Sequence, residues 1–393
     1  MRKFYTFFAT LFIFAVLFTA CNGKETSKET NNNLNDDFKI VPVELSPNAK
    51  RLMNYLSDNY GKKIISGQQD TSWTMNSGID MTARVYEDTG RYPAVKGFDF
   101  LDLHADWMNY GRQQLEEAIE WWEGRNQNNG GPSENLLPDQ PDIHGIVTFC
   151  WHWKVGEAHD FYTNNTDFRI PWKDGKLDTA SDDFKNVIVA DLDAIALLLK
   201  DMKDRDIPVL WRPLHEAVGN YYGHWDGANA WFWWGASGPE PYMALWEYMY
   251  NYLSKVKGLN NLIWVWNAQH KDWFPNPDTV HIVGFDVYAG RRDYSSQIAK
   301  YLETKQMAPE QNLMVAMTEN GQIPDPVKCL EDGAMWSWFC TWNDAQGGPG
   351  FNHNDNFWTG ENNNTLAHRR YVFNHDLVIT LDELPDLTKY RLD

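Results

Sequence analysis

The sequence predicts an α/β chain folded as a single (β/α)8 TIM barrel, and three observations carry that expectation. From Ser46 onward eight short apolar runs alternate with helix-length amphipathic segments. Polar and titratable residues gather where those runs end, as they do at the mouth of a barrel. The 393 residues show no repeat, internal linker or second domain, and barrels of roughly 250 residues or more routinely form one domain.

The eight runs are residues 63–67, 93–98, 145–150, 207–211, 262–266, 281–286, 313–317 and 334–339. Between them, 183–203 carries Val187, Val189, Leu192, Ile195, Leu197 and Leu198 at helical spacing, and 241–256 opens with a proline in its first turn, where a missing N–H costs nothing. The irregular stretches 124–142 and 153–179 are expected as loops over one rim.

The amino-terminus reads as a targeting segment. Arg2 and Lys3 precede an apolar stretch, residues 4–17, too short to span a bilayer comfortably, and Phe18-Thr19-Ala20 leads to Cys21. Residues 1–20 are therefore expected as a lipoprotein signal peptide, with Cys21 as the lipidated residue; an ordinary secretory signal is the plainer alternative. Residues 21–45 are expected as the lipidated cysteine and a polar tether, and 46–393 as the folded domain. This organisation places the protein in the outer membrane of a Gram-negative bacterium, at the cell surface or the periplasmic face, touching the membrane only through its anchor. Cys150, Cys329 and Cys340 remain, an odd number without metal-like spacing, and buried free thiols are expected, with a Cys329–Cys340 disulfide as the alternative.

A formal charge of −19 argues against nucleic acid or an anionic polymer as ligand, since either needs a basic stripe. Aromatic residues make up 15% of the chain, with 20 tryptophans, some in runs such as 231–234. Flat aromatic faces stack on the C–H faces of pyranose rings and lose little rotamer entropy in doing so, which favours a neutral polysaccharide.

Chemistry concentrates at the ends of the fourth and seventh runs. Trp211-Arg212-Pro213-Leu214-His215-Glu216 ends one, and Thr318-Glu319-Asn320-Gly321 the other. Strands four and seven lie across a barrel mouth, so Glu216 and Glu319 converge there. Hydrolysis of a glycosidic bond requires such a pair, one carboxyl to protonate the leaving oxygen and another to attack or to activate water. Arg212 and His215 are expected to hold the nucleophile ionised by charge and hydrogen bond, while the acid keeps a raised pKa. Further polar residues close the other runs: Gln68, Gln69 and Asp70; Asp99 and Asp102; Trp151, His152 and Trp153; Asn267 and Gln269; Asp286 and Tyr288; Trp342. Singly, each is as well explained as a helix cap, turn former or barrel filling.

Together these motifs, with Trp231-Phe232-Trp233-Trp234-Gly235, resemble glycoside hydrolase family 26, the β-mannanases with catalytic glutamates on strands four and seven. The resemblance runs from about Ser46 to the C-terminus. It implies a retaining double displacement on β-1,4-mannan, galactomannan or glucomannan by a monomer without cofactor or metal, Glu216 serving as acid/base and Glu319 as nucleophile. It also implies His152 and Tyr288 as ligands of the sugar at the cleavage point, His215 as a further substrate-site residue, Trp231 beside the leaving-group sugar, and Trp342 beneath the cleaved one. Two departures stand out. Trp231 follows Glu216 by more than in the simplest family pattern, which inserts a loop with Tyr221, Tyr222, His224 and Trp225, and Asn343 stands where some members carry an arginine.

Other readings remain at this stage. A mannobiose-releasing exo-enzyme, or a family 26 glycanase acting on mixed-linkage glucan or 1,3-xylan, shares the motifs. A non-catalytic glycan-binding lipoprotein would share the aromatic wealth and the anchor. A metal-dependent hydrolase is disfavoured because His152, His215 and His270 lack paired ligand spacing.

Overall fold

The structure, a computed structural model, describes residues 42–71, 80–101, 108–124, 143–155, 159–223, 229–344 and 352–393. Cys21, Asp102, His224 and Trp225 lie outside the described residues, as do the signal segment and most of the tether.

Eight parallel strands close into a barrel. In chain order they are β1 (Gly67–Gln69), β2 (Val95–Asp99), β3 (Ile146–Cys150), β4 (Val209–Arg212), β5 (Leu262–Trp266), β6 (Ile282–Val287), β7 (Met314–Asn320) and β8 (Phe339–Thr341). Each pairs with its sequence neighbours, and β8 closes onto β1 through Thr341 and Gln68. Every strand residue is buried, which is why the strands read as continuous apolar runs rather than alternating ones.

The outer ring is helical with one interruption. α1 (Pro47–Asn59) precedes the barrel; α2 (Met81–Thr89), α3 (Met108–Glu123), α4 (Ala190–Asp204) and α5 (Pro239–Tyr250) follow β1 to β4. α6 (Ile298–Lys305), α7 (Pro326–Asp332) and α8 (Leu366–Phe373) follow β6 to β8. Residues 267–281 contain only two 3-10 turns, Lys271–Trp273 and Pro277–Thr279, because Pro275 and Pro277 forbid a longer helix. α1 lies against β5 instead.

Two strand expectations shift. The run 63–67 supplies the barrel only with Gly67; Ile64–Ile65 pairs outside the barrel with Val378–Ile379. The barrel strand is Gly67-Gln68-Gln69, polar but fully buried, with Gln68 Nε2 donating to Gln69 O at 2.9 Å. Likewise the run 334–339 reaches β8 only at Phe339, while Trp336 and Trp338 are fully buried packing residues before it. Cys150, Cys329 and Cys340 are buried free thiols, so Cys329 and Cys340 do not pair. Among the described residues no helix is long and apolar enough to cross a membrane.

Candidate active site

Glu216 is positioned by a strained turn. After β4 the chain passes Pro213 and enters the left-handed region at Leu214 (φ 51°) and again at Glu216 (φ 47°). That conformation costs a non-glycine residue about 1 kcal/mol or more and persists where surrounding bonds impose it. Here the Glu216 N–H donates to Asn267 O at 2.7 Å, and the Trp234 indole donates to His215 O at 2.9 Å. The tail of β5 and the buried tryptophan run thus hold the turn from both sides.

Glu319 is positioned by a bulge. β7 pairs with β6 in regular register as far as Met317 and Phe285, but the next pair is Glu319 with Asp286, leaving Thr318 as an extra residue. A bulge breaks the alternation of faces and re-aims the side chain that follows it. Thr318 and Glu319, though consecutive, both reach the barrel interior: the Thr318 hydroxyl donates to Asp286 Oδ1 at 2.7 Å, and Glu319 accepts from Arg212. Gly284 on β6 makes room, since a Cβ there would come within 2.5 Å of Thr318 Cγ2.

Arg212 is the hub. Its Nη2 contacts Glu319 Oε1 and its Nη1 donates to Asp286 Oδ2 at 3.1 Å, so one buried guanidinium binds two carboxylates. Asp286 Oδ1 also accepts from Asn267 Nδ2 at 2.7 Å, and the Tyr288 hydroxyl donates to Glu319 Oε2 at 2.7 Å. One oxygen from each of Glu216, Asp286 and Glu319 lies within 4.8 Å of the others. A cation could bridge such a triad, but the Arg212 guanidinium already lies between two of its members.

The two glutamates have unequal surroundings. Burial, then Asp286, pushes Glu319 up to about 7, against the pull of Arg212, His152 and the Tyr288 hydroxyl. Desolvation, Asp286 and Glu319 push Glu216 well above the carboxylate range. Its counterweights are a more remote Arg212 and one long bond from Gln269 Nε2, 3.4 Å from Oε1. Arg212 and Tyr288 donate directly to Glu319, so in this coupled pair Glu319 ionises first and Glu216 retains the proton.

Behind the carboxylates runs a histidine pair. Asp99 Oδ2 lies 2.5 Å from His152 Nδ1, and Oδ1 accepts the His152 backbone N–H at 3.0 Å. Burial alone would raise Asp99, but the His152 ring, the His152 backbone N–H and Arg212 together outweigh it and hold the carboxyl below its usual range. His152 Nε2 is 3.3 Å from His215 Nε2. Burial, then Arg212 and His152, drives His215 well below the ordinary histidine value, so its ring is neutral.

The cleft above these groups encloses 340 Å³. Of the residues the sequence offered for the site, Glu216, Glu319, His152, Tyr288, Trp231 and Trp342 line it. His215 does not: fully buried, it reaches the cleft through its neighbours His152 and Phe232. Arg212 also lies beneath the floor, and it touches Glu319 rather than its neighbour in sequence Glu216. Tyr162 and Phe232 are cleft residues that the sequence did not single out. Tyr162 arrives because the loop after β3 is zipped to the loop after β4: Thr163 N donates to Trp231 O at 2.7 Å and Trp233 N to Phe161 O at 3.1 Å. No local pattern in residues 153–179 announces that pairing.

Comparison with known proteins agrees with this geometry. The family model described as "Glycosyl hydrolase family 26" matches residues 41–383. A mannan endo-1,4-beta-mannosidase of Thermothelomyces thermophilus is 34% identical over 349 residues, 86% of this chain and 61% of that protein. The chain thus spans less than two thirds of that relative. The Podospora anserina GH26-CBM35 beta-(1,4)-mannanase structure is 32% identical with a TM-score of 0.67, covering 90% of this chain and 72% of that one. A beta-mannanase from a symbiotic protist of the termite Reticulitermes speratus, solved with gluco-manno-oligosaccharide, is 29% identical with a TM-score of 0.67, covering 89% and 99%. On the extent of the family match and the placement of its two glutamates, the chain belongs to glycoside hydrolase family 26.

Proposed function

We propose that this protein is a retaining endo-acting β-mannanase that hydrolyses β-1,4-mannosidic linkages, with Glu319 as nucleophile and Glu216 as acid/base. The approach of their carboxylate oxygens within 4.8 Å carries the reading. Retaining glycosidases hold the two carboxyls roughly 5–5.5 Å apart, whereas inverting ones leave roughly 6.5–9.5 Å for a water.

The ionised Glu319 oxygen attacks the anomeric carbon, and Glu216 passes its proton to the departing glycosidic oxygen. The resulting glycosyl ester is opened by water, from which Glu216, now a carboxylate, takes a proton. Arg212 and Tyr288 orient Glu319 and stabilise its charge before attack and after release. His152 borders the same space, held by Asp99, and Trp342 flanks it with its ring 6.0 Å from that of His152. Trp231 and Tyr162, 38% and 44% exposed, offer aromatic faces to a polymer at the cleft, which supports internal cutting over release of mannobiose from chain ends.

Early product analysis on unsubstituted mannan and galactomannan, with proton NMR of the first products, tests this. A ladder of oligosaccharides with falling viscosity and β-configured new reducing ends is expected. Mannobiose alone from the first time point would overturn the endo reading, and α-configured first products the retaining one. Cleavage of mixed-linkage glucan or 1,3-xylan with mannan untouched would replace the substrate.

For the amino-terminus we propose lipid attachment at Cys21 and an outer-membrane location, with residues 46–393 as the catalytic domain. The support is the order of charge, apolar stretch and small residues before that cysteine. Metabolic labelling with an alkyne fatty acid should mark the wild-type protein and not Cys21→Ala; equal labelling would refute the assignment.

A further inference from the structure

The described ends of the segment inserted between Glu216 and Trp231, residues 217–223 and 229–230, meet at a short ladder. Asn229 N donates to Asn220 O at 3.0 Å across its base, and Tyr221 N donates to Val218 O at 2.7 Å. The arm that follows packs on the connection after β5. There the Tyr222 ring lies 4.6 Å from the His270 ring, and its hydroxyl accepts from the Trp273 indole at 3.2 Å. Tyr221 braces both, edge-on to Tyr222 at 5.3 Å and to Trp273 at 5.2 Å. Trp273 is fully buried, yet Tyr222 remains 41% exposed.

That combination is unlike ordinary surface packing. A tyrosine pinned at its hydroxyl by a buried indole has lost its rotamer freedom in advance, and it still offers ring surface to solvent. Its location adds the second argument. His270 directly follows Gln269, whose side chain donates to Glu216. Tyr222, packed on His270, is thus one residue removed from the side chain that bonds the proposed acid/base. His270 Nδ1 already accepts the Asp272 N–H at 3.2 Å, so Nε2 is the nitrogen turned to other partners.

We infer that Tyr222 and His270 form a distal subsite for the leaving-group portion of the polymer. It would take a neutral β-linked hexopyranose beyond the one against Trp231, stacked on the Tyr222 ring with a hydroxyl bonded to His270. This rests on the reading of Glu216 as the acid/base.

The experiment compares kcat/KM on manno-oligosaccharides of increasing length for wild type, Tyr222→Ala and Tyr222→Leu, the leucine variant keeping bulk over Trp273 should the alanine variant fail to fold. The expected deficit grows with chain length, reaching about three- to tenfold more on long substrates than on mannotriose, the scale of one aromatic contact. Tyr222→Phe, which keeps the ring, should recover most of it. A deficit equal at every length, or lowered thermal stability with wild-type length dependence, would mean that Tyr222 only shields Trp273, and overturns the subsite. Failure of wild type itself to cut any mannan would overturn the proposed function, and the subsite with it.

Discussion

Replacing Tyr288 by phenylalanine isolates one bond to the nucleophile. The hydroxyl donates to Glu319 Oε2 at 2.7 Å, while the ring rests against Phe357 at 5.2 Å, so the substitution removes the donor and leaves the packing. A hydrogen bond to a charged group is worth about 1.5–3 kcal/mol. Glu319 must be ionised to attack, so that loss falls on the reactive form and predicts a roughly 10- to 150-fold decrease in kcat/KM near neutral pH. The sign of the pH effect follows. The hydroxyl favours the carboxylate over the acid, and Glu319 already stands at about 7. Without the hydroxyl its proton is held more tightly, and the rise of kcat/KM on the acid side moves to higher pH, by about one or two pH units. Steady-state rates on an aryl manno-oligoside across a pH series measure both quantities. A decrease under about threefold with the acid limb unmoved would refute the claim that Glu319 is the group which must lose its proton.

Other perturbations separate the remaining roles. Gln269→Leu removes a donor that favours ionised Glu216, so Glu216 should keep its proton to higher pH and the alkaline limb should shift upward; a downward shift contradicts the assignment. Glu216→Ala should still release a good aryl leaving group in a burst and then stall as the glycosyl-enzyme, visible by intact-protein mass spectrometry, whereas wild-type turnover through both steps would exclude Glu216 as acid/base. Asp99→Asn weakens the hold on His152 at ring and backbone and should lower kcat/KM about tenfold, chiefly through kcat, with a stability loss of about 1–3 kcal/mol by thermal melting. Glu216→Gln tests linkage. The native fold holds this proton above the ordinary glutamate value of 4.5, so wild-type stability falls as pH rises through the native value. The glutamine variant should lack that decline and melt higher than wild type on the alkaline side; parallel melting curves would contradict the raised proton affinity.

The barrel was legible because buried parallel strands are mostly apolar on both faces, and six of the eight runs cover more than half of their strands. It was least legible where burial and barrel membership part company. Ile64 and Ile65 are as apolar as any strand but serve a side ladder, and Trp336 and Trp338 are packing residues ahead of β8. The helix missing after β5 had a visible signal in Pro275 and Pro277. Glu216 announced itself because an apolar run ended on a carboxyl. The contact of Arg212 with the nucleophile Glu319, 107 positions away, was an expectation of the sequence, but its second partner Asp286, 74 away, carried no signal. Tyr162 was equally silent, since its place in the cleft depends on a pairing between two rim loops.

The extra residue in β7 has a consequence for how finely the nucleophile's setting depends on one position. Met317 and Glu319 pair with Phe285 and Asp286 as successive places of a regular strand would, so Thr318 is surplus to the ladder but not to the site. Its hydroxyl donates to Asp286 Oδ1 at 2.7 Å and accepts from Asn267 Nδ2 at 2.6 Å. A chain lacking Thr318 would keep Glu319 turned to the lumen and both catalytic carboxyls in place, yet Asp286 would lose a donor and its fixed orientation beneath Arg212. The insertion thus supplies a ligand to the carboxylate behind the nucleophile, where a regular strand has room for none.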